Sequence, residues 1–264
     1  MGLMLKFSAN IGFLWTDRSH VERIQAASAA GFDAVECHFP YDEPAKEVKA
    51  ALEETGLPML CVNTWPGDRD AGDFGLAAVP GREADARDAI DQAISYAEAI
   101  DAANVHVMAG KPGEGRQKEA HQTYLENLSY ACSIASPHGI DILIEPINGT
   151  DAPGYFLQYA GFAKEIIGQV GSLNLKIMFD CYHTQLMQGS LSRWIEYLMP
   201  LIGHIQIAGV PSRAEPDEGE VAYDWLLPAI SAMGYRGYVG AEYKPRGSVE
   251  DGLGWLEDFR AKMR

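Results

Sequence analysis

Apolar and polar positions along the chain fall into two kinds of stretch that alternate. Short runs rich in β-branched and aromatic residues read as buried strands at 5–11, 34–39, 58–64, 104–110, 141–147, 175–183, 203–208 and 237–243. Between them lie longer stretches with apolar residues at helical spacing and many Ala, Glu and Lys residues, at 20–30, 44–55, 83–101, 118–138, 160–170, 191–198, 222–233 and 249–262. In "READARDAIDQAISYAEAI", Ala86, Ile90, Ala93, Ile94, Ala97 and Ile100 share one face and the acidic residues take the other. Glycine ends several of the helical stretches just before the next strand, as in "LEETGLPMLCV" and "SPHGIDILIE".

Eight strand-helix alternations with right-handed crossovers build a closed (β/α)8 TIM barrel, and 264 residues is an ordinary length for one. A doubly wound open sheet is the runner-up, but it uses fewer strands and often begins with a glycine-rich phosphate turn, which is missing here. No Pro/Ser-rich linker divides the chain, so a single domain over residues 1–264 is expected. Long connections follow the third, fourth, fifth and seventh strands, all at their C-terminal ends, the face on which barrel enzymes assemble their sites.

Composition narrows the function classes. The chain is 47% hydrophobic and 22% charged, enough for a sizeable core, and its formal net charge of −16 repels a phosphate backbone or an anionic membrane surface. Nucleic acid and membrane are therefore not expected partners, whereas a small anionic substrate is compatible if a few cations are focused in a pocket. Cys37, Cys61, Cys132 and Cys181 have no CxxC spacing, lie in apolar stretches and read as reduced core thiols. Without a signal-peptide pattern or a membrane-length apolar run, a cytoplasmic protein is expected. Exposed apolar residues in the long loops leave a homo-oligomer open.

The stretch "ILIEPIN" raises the chemical question, because a buried apolar run ends in Glu145 and an unpaired buried carboxylate is costly. Later strands repeat the pattern: Asp180 and His183 in "KIMFDCYH", Gln206 in "HIQIA" and Glu242 in "GAEYKP". Residues at equivalent heights on neighbouring barrel strands converge on the axis, so Glu145, Asp180, Gln206 and Glu242 form a hard-oxygen set suited to Mg2+ or Mn2+. Any one alone reads as a helix cap or the partner of a loop lysine, Gln206 more readily than Glu145 or Glu242; four at the same height are less economically read that way. Glu36, His38 and His106 close earlier strands and line the opposite wall or pack within it. Arg213, Lys111, Lys244 and Arg82 are candidate partners for a substrate carboxylate, Arg213 foremost, with Glu215 beside it. Phe13 and Trp65 are candidate apolar walls.

At "FSANI", "GFDAVECHFPYD", "VPGRE", "LIEPIN", "NLKIMFDCYH", "GHIQIAGVPSRAEPDEGEVAYD" and "GAEYKP" the chain resembles the hydroxypyruvate isomerase family of xylose-isomerase-like barrels, over nearly its whole length. That resemblance implies interconversion of hydroxypyruvate and tartronate semialdehyde, with Glu145 and Glu242 as acid/base residues. It also implies a divalent metal on Glu145, Asp180, Gln206 and Glu242; His183, Arg213, Lys111, Glu215, His106 and Lys244 are candidate substrate contacts from their own places at strand ends and in the loops. The third loop, "VNTWPGDRDAGD", departs from the family pattern, which leaves 2-oxo-tetronate isomerisation and ketose 3-epimerisation as alternatives. A nuclease of endonuclease IV type shares the barrel but needs more histidine ligands and a basic DNA track. A non-catalytic sugar-binding or scaffolding barrel is the reading of a different class.

Overall fold

Every expected strand forms, most of them shorter than their apolar runs, in a computed structural model that describes residues 5–262. The order is β1 (Lys6–Asn10), α1 (His20–Ala29), β2 (Ala34–Glu36), α2 (Ala45–Thr55), β3 (Cys61–Asn63), α3 (Glu83–Ala99), β4 (Asn104–His106) and α4 (Gln117–Ala135). It continues with β5 (Asp141–Ile144), α5 (Ala160–Val170), β6 (Leu175–Asp180), α6 (Cys181–Met187), α7 (Leu191–Leu198), β7 (Ile202–Ile207), α8 (Tyr223–Ala232), β8 (Tyr238–Ala241) and α9 (Gly254–Lys262). The strands are all parallel and run β2-β1-β8-β7-β6-β5-β4-β3 around one sheet. The seam between β2 and β3 closes with a Val35–Met59 bridge and the backbone bonds Val35 N to Pro58 O and Cys37 N to Cys61 O. The fold is thus the expected (β/α)8 barrel. Among the described residues, no helix is long and apolar enough to cross a membrane.

Local chemistry explains the boundaries. Ser19 accepts from the Glu22 backbone N–H while the Glu22 side chain accepts from the Ser19 backbone, a reciprocal cap that starts α1. Gly56 ends α2 in the left-handed region at φ 72°, which costs a residue without a Cβ least. Among the described residues, the α-helix not expected is α6. The run 175–183 reads as continuous strand, but the Asp180 carboxylate accepts from the Tyr182 N–H at 2.7 Å and caps a new helix. His183 therefore stands on the first turn of a helix and not at a strand end.

Alternation along each strand sorts the core. Ile142 and Ile144 join the main hydrophobic cluster, whereas Leu143 belongs with Cys61 and Met178 to a separate one. With the period of two, Leu143 shares its side of the strand with Glu145, Met178 with Asp180, His204 with Gln206, and Gly240 with Glu242. The ladders pair Asp180 with Gln206 and Gln206 with Gly240. The strand register thus gathers the polar ends of β5 to β8 at one end of the sheet.

Candidate active site

Glu145, Asp180, His183 and Glu242 each offer a ligating atom within 4.8 Å of one another, and all four are buried. Glu145, His183 and Glu242 line a cavity of about 430 Å3 whose walls also include Phe13, His38, Phe39, Arg69, Phe74, His106, Asp151, Arg213 and Lys244. The cavity opens at the C-terminal ends of the strands, where the long connections gather.

The carboxylates differ in what surrounds them. Burial, reinforced by the charges of Glu242 and Asp180, pushes the Glu145 carboxyl well above the ordinary carboxylate range. Burial and then Glu242 raise Asp180 to about 7, against the pull of Arg213. Burial lifts Glu242 as well, but the His38 hydrogen bond and the charge of Arg213 outweigh it and hold the group down at about 2. Arg213 reaches Glu242 at 2.9 Å, Asp151 at 3.6 Å and Asp180 at 3.9 Å, with its guanidinium over the Phe13 and Tyr182 rings. Its backbone takes a left-handed φ of 55°, and its carbonyl accepts from the Lys244 N–H.

Hydrogen-bond direction separates a donor from a ligating oxygen at the site. The Asn148 side-chain oxygen accepts from the N–H groups of Thr150 and Asp151, so its amide nitrogen faces His183 Nδ1 at 2.6 Å. Nδ1 is then an acceptor, and the neutral ring carries its proton on Nε2, 3.5 Å from Asp180 and 3.7 Å from Glu145. Burial and the nearby Arg213 keep the ring neutral, lowering it to about 3. His183 therefore presents a donor, not a lone pair. Gln206 shows the opposite case: its amide nitrogen donates to Glu36 at 2.8 Å, and its Oε1 is buried with no partner. Glu145 Oε1 and Asp180 Oδ2 are also buried without a hydrogen bond. Buried oxygens without a hydrogen bond, on or beside residues that crowd negative charge, fit a hard divalent cation.

The remaining expected residues separate. His106 is buried with Nδ1 3.6 Å from Glu145 and neither ring nitrogen hydrogen-bonded, and burial lowers it to about 3. Lys244 lines the cavity and its side chain is exposed. Lys111 does not line it; this lysine lies over the Phe74 ring and borders a neighbouring cavity with His121 and Phe156. Glu215 is 1% exposed and pairs with Arg246 at 2.8 Å, away from the acid cluster. Arg82 pairs with Asp73 and Asp85, and Trp65 lines a different groove.

Sequence reasoning missed Asn10, Arg69, Asn148, Asp151 and His204. Two of these had a signal: Asn10 ends the first apolar run in "FSANI", and His204 stands two residues before Gln206, hence on the same side of the strand. Glycine makes room twice. A Cβ on Gly12 would lie 2.4 Å from His38 Nδ1, and one on Gly240 would lie 2.7 Å from the Glu36 oxygens.

A parallel eight-stranded barrel with buried acids at its C-terminal mouth defines a TIM-barrel enzyme. A family model described as xylose isomerase-like TIM barrel matches residues 24–259. The 2-oxo-tetronate isomerase of Cupriavidus necator is 45% identical over 97% of this chain and 99% of its own length. The hydroxypyruvate isomerase of Escherichia coli K12 is 41% identical over 97% of this chain and 100% of its own. A crystal structure from Brucella melitensis, named an AP endonuclease of family 2, matches at a TM-score of 0.94 and 40% identity, over 97% of this chain and 100% of that one. The chain belongs to the xylose isomerase-like TIM barrel family, within it to the hydroxypyruvate isomerase family, and is an isomerase.

Proposed function

We propose that this isomerase interconverts hydroxypyruvate and 2-hydroxy-3-oxopropanoate by moving a proton between adjacent carbons through an enediolate, with Mg2+ or Mn2+ in the site. The observation that carries the reading is the convergence of Glu145, Asp180, His183 and Glu242 within 4.8 Å, together with the unpartnered oxygens of Glu145, Asp180 and Gln206. The two curated relatives described above, named for 2-oxo acid isomerisations, support the substrate class.

A divalent cation held by Glu145, Asp180, Gln206 and Glu242 would supply the positive charge that stabilises an oxygen anion developing beside the carbanion. Glu145 and Glu242 are the groups that take the carbon-bound proton and return it. His183 donates from Nε2 to a substrate oxygen, a role its tautomer permits and metal ligation does not. Arg213 and Asp151 form the inner wall. Arg69 and Lys244, with exposed side chains at the mouth, meet the carboxylate, as the −16 balance of the whole chain otherwise repels an anion. Phe13, Phe39 and Phe74 keep water from the reacting carbons.

A cavity of about 430 Å3 has room for more than a three-carbon acid, which favours a four-carbon 2-oxo-tetronate as the second reading. The test is carbon-bound deuterium uptake in heavy water with Mn2+, followed by NMR for hydroxypyruvate, 2-oxo-tetronate and fructose separately. Exchange and product are expected with one or both oxo acids. Turnover of fructose with neither oxo acid reacting would overturn the assignment in favour of a ketose epimerase.

A further inference from the structure

Glu36 ends β2 inside the barrel, 1% exposed, and both of its oxygens are fully engaged. Oε2 accepts from Ser8 Oγ at 2.9 Å and from His204 Nε2 at 2.5 Å. Oε1 accepts from Gln206 Nε2 at 2.8 Å and from Asn10 Nδ2 at 3.2 Å. A carboxylate offers only lone pairs, so every atom that faces it must be a donor. This rule dictates the orientation of two side chains at the site. The planar amide of Gln206 has to turn its nitrogen to Glu36, which sends Oε1 the other way, buried and unpartnered, from a residue that pairs with Asp180 in the ladder. Asn10, whose Oδ1 accepts from the Gly12 N–H, passes its second amide proton to Glu242 at 2.9 Å.

The geometry points to Glu36, clamped by His204 and Ser8, as the positioning residue that fixes the Gln206 amide with its oxygen toward the cation and steadies Glu242 through Asn10. Gly240 is part of the same device, since any Cβ there would displace the Glu36 carboxylate. The inference rests on the metal-assisted reading above but does not depend on which acid is turned over.

The alternative is that Glu36 serves only to satisfy polar groups inside the barrel. Glu36→Gln keeps the shape and replaces one acceptor by a donor, so the Gln206 amide loses its reason to face one way. Mn2+ titration by calorimetry on the intact protein, well below its melting temperature, is the readout. Glu36→Gln is expected to weaken Mn2+ binding about 10- to 100-fold, the range for groups that orient ligands. In a Gln206→Met background the same substitution is expected to cost clearly less, leaving only the part that runs through Asn10 and Glu242, because coupled residues are not additive. Equal losses in both backgrounds, or no loss in either, would overturn the inference while leaving the metal reading in place. Wild-type protein that binds no Mn2+ would remove both. If Glu36→Gln does not fold, a crystal structure of the Mn2+-loaded wild type decides. Gln206 Oε1 is expected within about 2.0–2.6 Å of the ion, as for oxygen ligands of hard cations. An amide nitrogen toward the ion, or Gln206 outside its coordination shell, would overturn the proposal.

Discussion

Glu36 and Glu145 are buried almost equally, at 1% and 5% exposed, at the C-terminal ends of β2 and β5 of the same barrel, yet the protein treats them oppositely. Glu36 receives four donors and has nothing left to offer. Glu145 has one oxygen with no hydrogen bond and two carboxylates for neighbours. An ionised carboxylate in an interior costs several kcal/mol unless its lone pairs are met. Where the fold itself meets them, as at Glu36, the residue belongs to the architecture. Where it leaves one oxygen without a hydrogen bond and adds like charge, as at Glu145 and Asp180, the residue is kept for something that binds; Glu242, met by Asn10, His38 and Arg213, stands between the two cases. Glu215 falls on the Glu36 side of this division, matched by Arg246.

The largest effect that would test this division lies at the proton-transfer groups. Glu145→Gln and Glu242→Gln keep the volume and remove the base, so kcat is expected to drop about 100-fold or more in each. Near-normal kcat in both would assign these carboxylates to the architecture after all. Next is the ligand set. Changing the partners of ligands already costs about 10- to 100-fold in metal affinity, so Asp180→Ala is expected to weaken Mn2+ binding by at least about 100-fold. Chelation of wild-type protein should abolish turnover, and Mn2+ should restore it.

Much of this was legible in the chain, for a physical reason. A barrel strand is short, apolar on both faces and polar only where it opens, so Glu145, Gln206 and Glu242 announce themselves at the ends of "ILIE", "HIQ" and "VGAE". What could not be read was direction. His183 looks like a strand-end residue until Asp180 is seen to cap α6, and only the Asn148 contact reveals its tautomer. Loop cations were harder still. Arg213, Lys111, Arg82 and Arg69 are equivalent as letters, and chain geometry alone sends Arg213 and Arg69 to the cavity and Lys111 and Arg82 elsewhere. Glu215, two residues from Arg213, shared its stretch of sequence but points to Arg246.

Glu215→Gln gives a smaller effect that sharpens the comparison. It leaves the Arg246 charge without its buried partner, but Arg246 is 40% exposed and solvent takes up much of that loss. The expected cost is about 1 to 2 kcal/mol of stability, seen as a lower Tm, with Mn2+ affinity unchanged. A matching loss of Mn2+ affinity would show that this carboxylate serves the site.

The smallest difference separates two lysines. Lys244 lines the cavity, whereas Lys111 lies over Phe74 on the far side of that ring's wall and faces the neighbouring cavity. A charge-assisted contact to a substrate carboxylate, weakened by solvent at the mouth, is worth roughly tenfold in binding, so Lys244→Ala is expected to raise KM by about that factor with kcat little changed. Lys111→Ala should leave KM within about twofold, because a charge beyond the aromatic wall is screened from the acid. Steady-state kinetics on the two variants at low and physiological salt reads the difference directly. A larger KM effect at Lys111 than at Lys244 would move the anion site out of the cavity that holds the carboxylates, and the division between ligand-facing and self-satisfied charges would have to be redrawn around Phe74.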